Sequence, residues 1–131
     1  MGNNVPFRRR PINEERLPDH ILQLIPLLDG IDSHARKIGA VNTIVCRGGK
    51  LWGHNTDVAG FVGALRAASV RIYGARALVV GAGGAARAAV CGLLENGASV
   101  TVVNRTRRRA IELVRHLGGA KIALADPADI G

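Results

Sequence analysis

Aromatic side chains are almost missing from these 131 residues: one Trp, one Tyr and two Phe. Without such rings there is no stacking platform for nucleic-acid bases. Any core must be built from Ala, Val, Leu and Ile, the usual filling of α/β proteins. Cysteine is equally scarce. Cys46 and Cys91 lie far apart and show no metal-ligand spacing, which excludes a disulfide scaffold and points to reduced, packed thiols in the cytoplasm. No apolar run is long enough to span a membrane, and no signal peptide is visible. Acidic residues are outnumbered, 10 Asp and Glu against 18 Lys and Arg, for a net charge of +8. The excess concentrates at Arg8-Arg9-Arg10 and at Arg105 to Arg109. With no nucleic-acid motif to accompany it, this charge does not predict nucleic-acid binding.

Against these absences, one stretch stands out. Leu78-Val79-Val80 runs into Gly81-Ala82-Gly83-Gly84-Ala85-Ala86, then a helix-forming segment, then Val100-Thr101-Val102-Val103. A strand, a Gly-x-Gly-x-x-Ala turn, a helix and a second strand make the first βαβ unit of a dinucleotide-binding fold. Gly81 allows the tight turn. Gly83 lets a pyrophosphate approach the backbone, and Ala86 lets helix pack on strand. Free N–H groups and the helix dipole at that turn favour phosphate. After the second strand, an NAD site usually offers an acid to the ribose. Here the chain reads Asn104-Arg105-Thr106-Arg107-Arg108-Arg109. Guanidinium groups match a 2′-phosphate, so NADP is favoured over NAD.

The length suits one ordinary domain and is short for a two-domain oxidoreductase. Residues 1–13 are broken by Pro6 and Pro11 and read as disordered. A helical face runs through Ile21, Leu22, Leu24, Ile25 and Leu28, with Pro26 inside it, and a short helical turn fits 33–38. Ala40 to Cys46 reads as a strand, returning through Leu51 to His54 as a hairpin. A helix over 57–68, capped by Thr56 or Asp57, presents Val58, Phe61, Val62 and Leu65. The nucleotide unit is expected as strand 77–81, helix 84–96 with Gly97 at its C-cap, strand 99–104, helix 106–117 ended by Gly118, and strand 121–125. Such a sheet is a partial, Rossmann-type, doubly wound parallel sheet, so the chain is expected to be a fragment or to need a partner over the gap.

Two further motifs precede this unit: Ile38-Gly39-Ala40-Val41-Asn42-Thr43, and Gly53-His54-Asn55-Thr56-Asp57-Val58-Ala59-Gly60-Phe61. Together with Gly81-Ala82-Gly83-Gly84-Ala85 and Asn104-Arg105-Thr106, in this order, they resemble the shikimate dehydrogenase family. The resemblance covers roughly residues 21–130. It implies NADP-dependent, reversible reduction of 3-dehydroshikimate to shikimate, a step of aromatic amino-acid synthesis. It implies that Asn42 hydrogen-bonds substrate hydroxyls and that Asp57 is the catalytic carboxylate, orienting substrate and pairing with a lysine. It further implies that Gly81, Ala82, Gly83, Gly84 and Ala85 cradle the pyrophosphate. Asn104, Arg105, Thr106 and Arg109 would hold the 2′-phosphate. No metal is expected. Partners would be the small-molecule substrate and, as an open option, a second copy in a homodimer.

The departures are as informative. Residues 1–68 read as the remnant of a substrate-binding domain, and 69–131 as the first half of an NADP-binding one. The family's paired N-terminal serines have no counterpart. Its N-V-T-x-P-[FH]-K segment is echoed only by Asn4-Val5-Pro6-Phe7-Arg8, with arginine at the lysine position. Arginine does not readily release a proton, and Lys37, Lys50 and Lys121 fall at non-matching places. His54 reads as partly buried filler rather than an acid. The expectation is therefore slow turnover or none by this polypeptide alone. A non-catalytic NADP-binding or partner-binding module, and a quinate/shikimate dehydrogenase, are the alternatives.

Overall fold

A computed structural model describes residues 25–118 and 122–130. The expected helical face through Ile21, Leu22 and Leu24 therefore lies outside the described residues, as do Lys121 and the Asn4–Arg8 echo; at 25–27 the chain forms a short 3-10 turn. Two three-stranded sheets follow. The first contains β1 (Gly30–Ile31), β2 (Thr43–Arg47) and β3 (Lys50–His54), in the order β1-β3-β2. β2 and β3 form the expected hairpin, antiparallel with Thr43 opposite His54 and Arg47 opposite Lys50. Gly48 and Gly49 take the turn with positive φ. β1 joins parallel to β3. Between β1 and β2 sits α1 (Ser33–Ile38), capped by Asp32 and closed by Gly39 in the left-handed conformation, a residue-by-residue match to helix-end chemistry.

α2 (Asp57–Ala67) leaves β3 and crosses to the second sheet. That sheet is β4 (Arg76–Val80), β5 (Ser99–Val103) and β6 (Ile122–Leu124), all parallel, in the order β4-β5-β6. α3 (Gly84–Glu95) and α4 (Arg107–Leu117) supply the crossovers. Both pack on one face, in a core of Val90, Leu93, Ala110, Leu113 and Leu117 against Val100, Val102 and Ile122, with Ala77 and Val79 at its margin. The opposite face carries Leu78 and Val80, which are 49% and 76% exposed. A strand apolar on both sides is the mark of a parallel sheet built to be covered twice, so the expected Rossmann-type sheet is present with its helices on one side. The C-cap of α3 falls on Asn96, not Gly97, because Asn96 still closes back on Gly92 and Leu93; Gly97 follows with φ of 82°.

The two sheets are joined through helices. Ile38, Val58, Ala88 and Cys91 form a small core shared by α1, α2 and α3. At Gly92 of α3 a Cβ would lie 2.7 Å from Cγ2 of Val62, so only glycine allows α2 to come this close. At the rim, Glu95 receives Lys37 at 2.9 Å and sits 3.0 Å from Nε2 of His34. Burial pushes the Cys91 thiol up to about 11, helped by the neighbouring Glu95 carboxylate, so Cys91 is packed as expected, whereas Cys46, on the solvent side of β2, is exposed and not packed.

Candidate functional site

The residues singled out by motif fall into two groups. The first is the turn after β4. Gly81 has φ of 121°, a conformation that side chains with a Cβ resist, and its N–H extends the ladder to the Val103 carbonyl at 2.7 Å. Ala82 tucks against the core. Gly83 is the N-cap of α3 and offers no side chain to it. The first N–H groups of any helix lack intrahelical acceptors; here they open at Gly84 and Ala85, both exposed. A Cβ built on Gly83 or Gly84 would meet nothing within 4 Å, so the approach to these donors is clear. An anion placed there meets backbone dipoles and no competing side chain.

At the end of β5, Asn104 Nδ2 donates to the Thr106 carbonyl at 2.9 Å and shapes the entry to α4. Thr106 is the N-cap, extended but without a side-chain cap bond. A cavity of about 170 Å³ opens between this turn and the end of β6, lined by Asn104, Arg105, Arg107, Leu124 and Asp126 among others. Thr106 and Arg109 do not line it. Arg109 is exposed on the first turn of α4, and Arg108 is paired with Glu112 at 3.1 Å. Arg107 and Asp126 were not foreseen. Arg107 was visible in the arginine run, but nothing in that run says which of its arginines border the cavity. Asp126 approaches through the pairing of β6 with β5, and its Oδ1 accepts the Ala128 N–H at 3.1 Å.

The second group gathers where β2 begins and β3 ends. Asn42 Nδ2 donates to Asp57 Oδ1 at 2.8 Å. Asn42 Oδ1 accepts the Thr56 N–H at 3.0 Å, with the hydroxyls of Thr43 and Thr56 at 3.1 and 3.3 Å. Asn42 and Asp57 are both exposed; they present an amide and a carboxylate side by side, the chemistry that grips vicinal hydroxyls. Asp57 is the first residue of α2, where the helix dipole favours a negative charge. Thr56 is the cap position, but its side chain turns to Asn42 instead of to the helix. Beside this corner lies an open cleft lined by Thr43, Trp52, His54, Asn55 and Thr56 among others. His54 is half-buried, with Nδ1 3.1 Å from Asp32 Oδ2. Lys37 is committed to Glu95. Buried Asn55 and half-buried Asp32, neither assigned a role from the sequence, support this corner. No group of metal-ligating side chains occurs among the described residues, and no described helix is long and apolar enough to cross a membrane.

Comparison with known proteins identifies the family. Residues 64–130 match the family model for shikimate / quinate 5-dehydrogenase. The NADP(+) shikimate dehydrogenase of Halobacterium salinarum is 50% identical over 95 residues, covering 72% of this chain and 36% of that protein. Shikimate dehydrogenase of Aquifex aeolicus superposes with a TM-score of 0.75 at 37% identity, over 84% of this chain and 41% of that one. The Thermus thermophilus enzyme, solved with NADP(H) and shikimate, gives 0.71 at 38% identity, over 84% and 40%. The chain thus spans little more than a third of its curated relative. On sequence, fold and the order of its motifs, it belongs to the shikimate / quinate 5-dehydrogenase family.

Proposed function

We propose that this chain carries the NADP-binding turn and part of the substrate site of a shikimate dehydrogenase, which reversibly reduces 3-dehydroshikimate to shikimate in the cytoplasm. The observation that carries the proposal is the Asn42–Asp57 pair at 2.8 Å in one fold with a bare glycine turn and an arginine-lined cavity. The residues present fit the cofactor. The N–H groups opening α3 would hold its pyrophosphate, and Asn104, Arg105, Thr106 and Arg109 its 2′-phosphate, with Arg107 close by. When bound, the nicotinamide supplies the hydride for the ketone carbon.

Asn42 and Asp57 would orient the substrate's hydroxyls, an entropic contribution to rate rather than a proton transfer. Reduction also needs a proton donor at the carbonyl oxygen. Lys37 is committed to Glu95 on α3, so it does not serve. Slow turnover by these 131 residues alone is the consequence. The quinate reading shares every residue named here and differs only in substrate; the arginine run speaks for NADP in either case.

Fluorescence titration of the purified chain with NADPH, with NADH as control, tests the proposal. Selective NADPH binding is expected, followed by weak conversion of 3-dehydroshikimate. Equal affinity for both nucleotides, or for neither, would overturn the cofactor assignment.

A further inference from the structure

Asp32 belongs to none of the motifs that point to cofactor or substrate, yet three groups converge on its carboxylate. Oδ1 accepts the Ala35 N–H at 2.6 Å and caps α1. Oδ2 accepts the Asn55 N–H at 3.3 Å and lies 3.1 Å from Nδ1 of His54. Capping a helix needs one oxygen; the second reaches 23 residues along the chain. Asn55 passes the constraint on. It is 5% exposed, its Nδ2 donates to the Ala40 carbonyl at 3.1 Å, and its Oδ1 accepts the Asp57 N–H at 3.1 Å. Asp57 is therefore held twice, its backbone through Asn55 and its carboxylate through Asn42. Asn42 in turn grips the same turn at the Thr56 N–H.

We propose that Asp32 is a positioning residue for Asp57, acting through Asn55 to keep the Asp57 carboxylate against the Asn42 amide. The proposal rests on the reading of Asn42 and Asp57 as substrate groups. Partial burial raises the Asp32 carboxyl, but the Ala35 and Asn55 N–H groups and His54 together hold it below its ordinary value. The charged form, with both oxygens accepting, is thus the one that spans α1 and the β3–α2 turn. A lone helix cap would leave the buried Asn55 N–H without this acceptor, so that only the Asn55 side chain, through Ala40 and Asp57, would fix the turn. A partner that accepts on both sides keeps a buried amide from losing its bond, a loss that costs more than the bond itself adds.

Asparagine has one acceptor oxygen where aspartate has two. In Asp32→Asn that oxygen stays with the closer Ala35 N–H, and an NH2 group faces the Asn55 N–H. Asp32→Ser likewise keeps a cap on α1 and removes the reach to Asn55. Asp29→Asn is the control: its carboxylate accepts the Leu51 N–H at 2.7 Å at the opposite end of β3. The measurement is the side-chain amide resonances of Asn42 in the full chain, by nitrogen–proton NMR, with Asp57→Ala marking the position of the lost contact. The resonances report the Asn42–Asp57 bond with no substrate present. Asp32→Asn and Asp32→Ser are expected to move them toward the Asp57→Ala position, while Asp29→Asn leaves them in place. NADPH affinity should stay within about twofold, and shikimate binding, followed on the same resonances, should weaken about tenfold, near the worth of one misplaced charged hydrogen bond. Unmoved resonances in both folded Asp32 variants, or an equal movement in Asp29→Asn, would overturn the proposal. Movement without any shikimate binding by the unsubstituted chain would support the positioning role and overturn the substrate reading alone.

Discussion

The anion-binding end of the parallel sheet is made of backbone, whereas the Asn42–Asp57 corner is made of side chains. At the first, a glycine turn and the opening of α3 present N–H groups whose direction follows from the fold itself. At the second, one amide, one carboxylate and a buried asparagine hold one another across 15 residues of chain, with an aspartate further back. The difference teaches where each site is vulnerable. A backbone site fails when the chain cannot adopt its path. A side-chain site fails when one hydrogen bond in the set is removed, even though every strand stays where it was.

The largest effect should come from breaking the backbone site. Gly81→Val forces a β-branched residue to φ of 121° and should cost about 2–3 kcal/mol of stability, read by urea unfolding. NADPH binding should disappear with it, since the turn can no longer aim its donors. Undiminished NADPH affinity would mean that this turn is not the pyrophosphate site.

Next comes the part of the cofactor site that is made of side chains. Arg105→Ala with Arg109→Ala should weaken NADPH by about 10–100-fold, the loss of one or two charge-assisted contacts. NADH should be unaffected. A matching loss of NADH affinity would show that the arginines act on the whole nucleotide and not on its 2′-phosphate.

Smaller still is a change at the junction that the comparison leaves between the two regions. Gly92→Ala places a methyl 2.7 Å from Val62 Cγ2 and should cost about 1–2 kcal/mol by overpacking. NADPH affinity should not change, because the turn at Gly81 is built upstream of the contact. A coupled loss of nucleotide binding would show that α2 helps to set the glycine turn, and the two regions would no longer be separable.

The smallest effect concerns the rim of that junction. Burial raises the Glu95 carboxyl, but hydrogen bonds from Lys37 and His34 outweigh it and hold it below the ordinary value of 4.5. The bond to Glu95, against the opposing effect of burial, lifts Lys37 above 10.5. A depressed carboxyl contributes stability above its ordinary value and loses it as pH falls through the lowered one. A raised ammonium contributes below its ordinary value and loses it as pH rises through the raised one. Glu95→Gln should thus be less stable by about 0.5 kcal/mol across the range between those two ordinary values, a small figure because both side chains are partly solvated. The difference should close in acid and in strong base. A constant gap at every pH would assign the loss to packing.

The parts of the molecule that could be read from the chain follow the same division. β4, β5, α3 and α4 lie within a residue or so of where apolar periodicity and the glycine turn place them, because period and cap are local properties. α2 was equally plain; the hairpin was too, except that its first strand begins at Thr43 and not at Ala40, whose N–H still closes α1 on Ala35. Asn42 and Asp57 stood out only through the resemblance to a family, and nothing in their spacing predicts that they touch. Asp32 is legible only as the cap of α1; its second role left no trace. It precedes a six-residue helix, and the groups it serves lie 22 and 23 positions later, where no periodicity connects them. The approach of Asp126 to the Asn104–Arg107 turn is likewise a product of strand pairing.

The uncovered face of β4 bears on how copies of this chain behave in solution. Leu78 and Val80 form an oily strip on a molecule whose net charge is +8. Mutual repulsion keeps such strips apart at low ionic strength. At about 0.1 M salt the repulsion fades beyond roughly 10 Å, while the attraction between apolar surfaces is untouched. Self-association through this strip is therefore expected to grow as ionic strength rises, a trend that light scattering across a salt series checks.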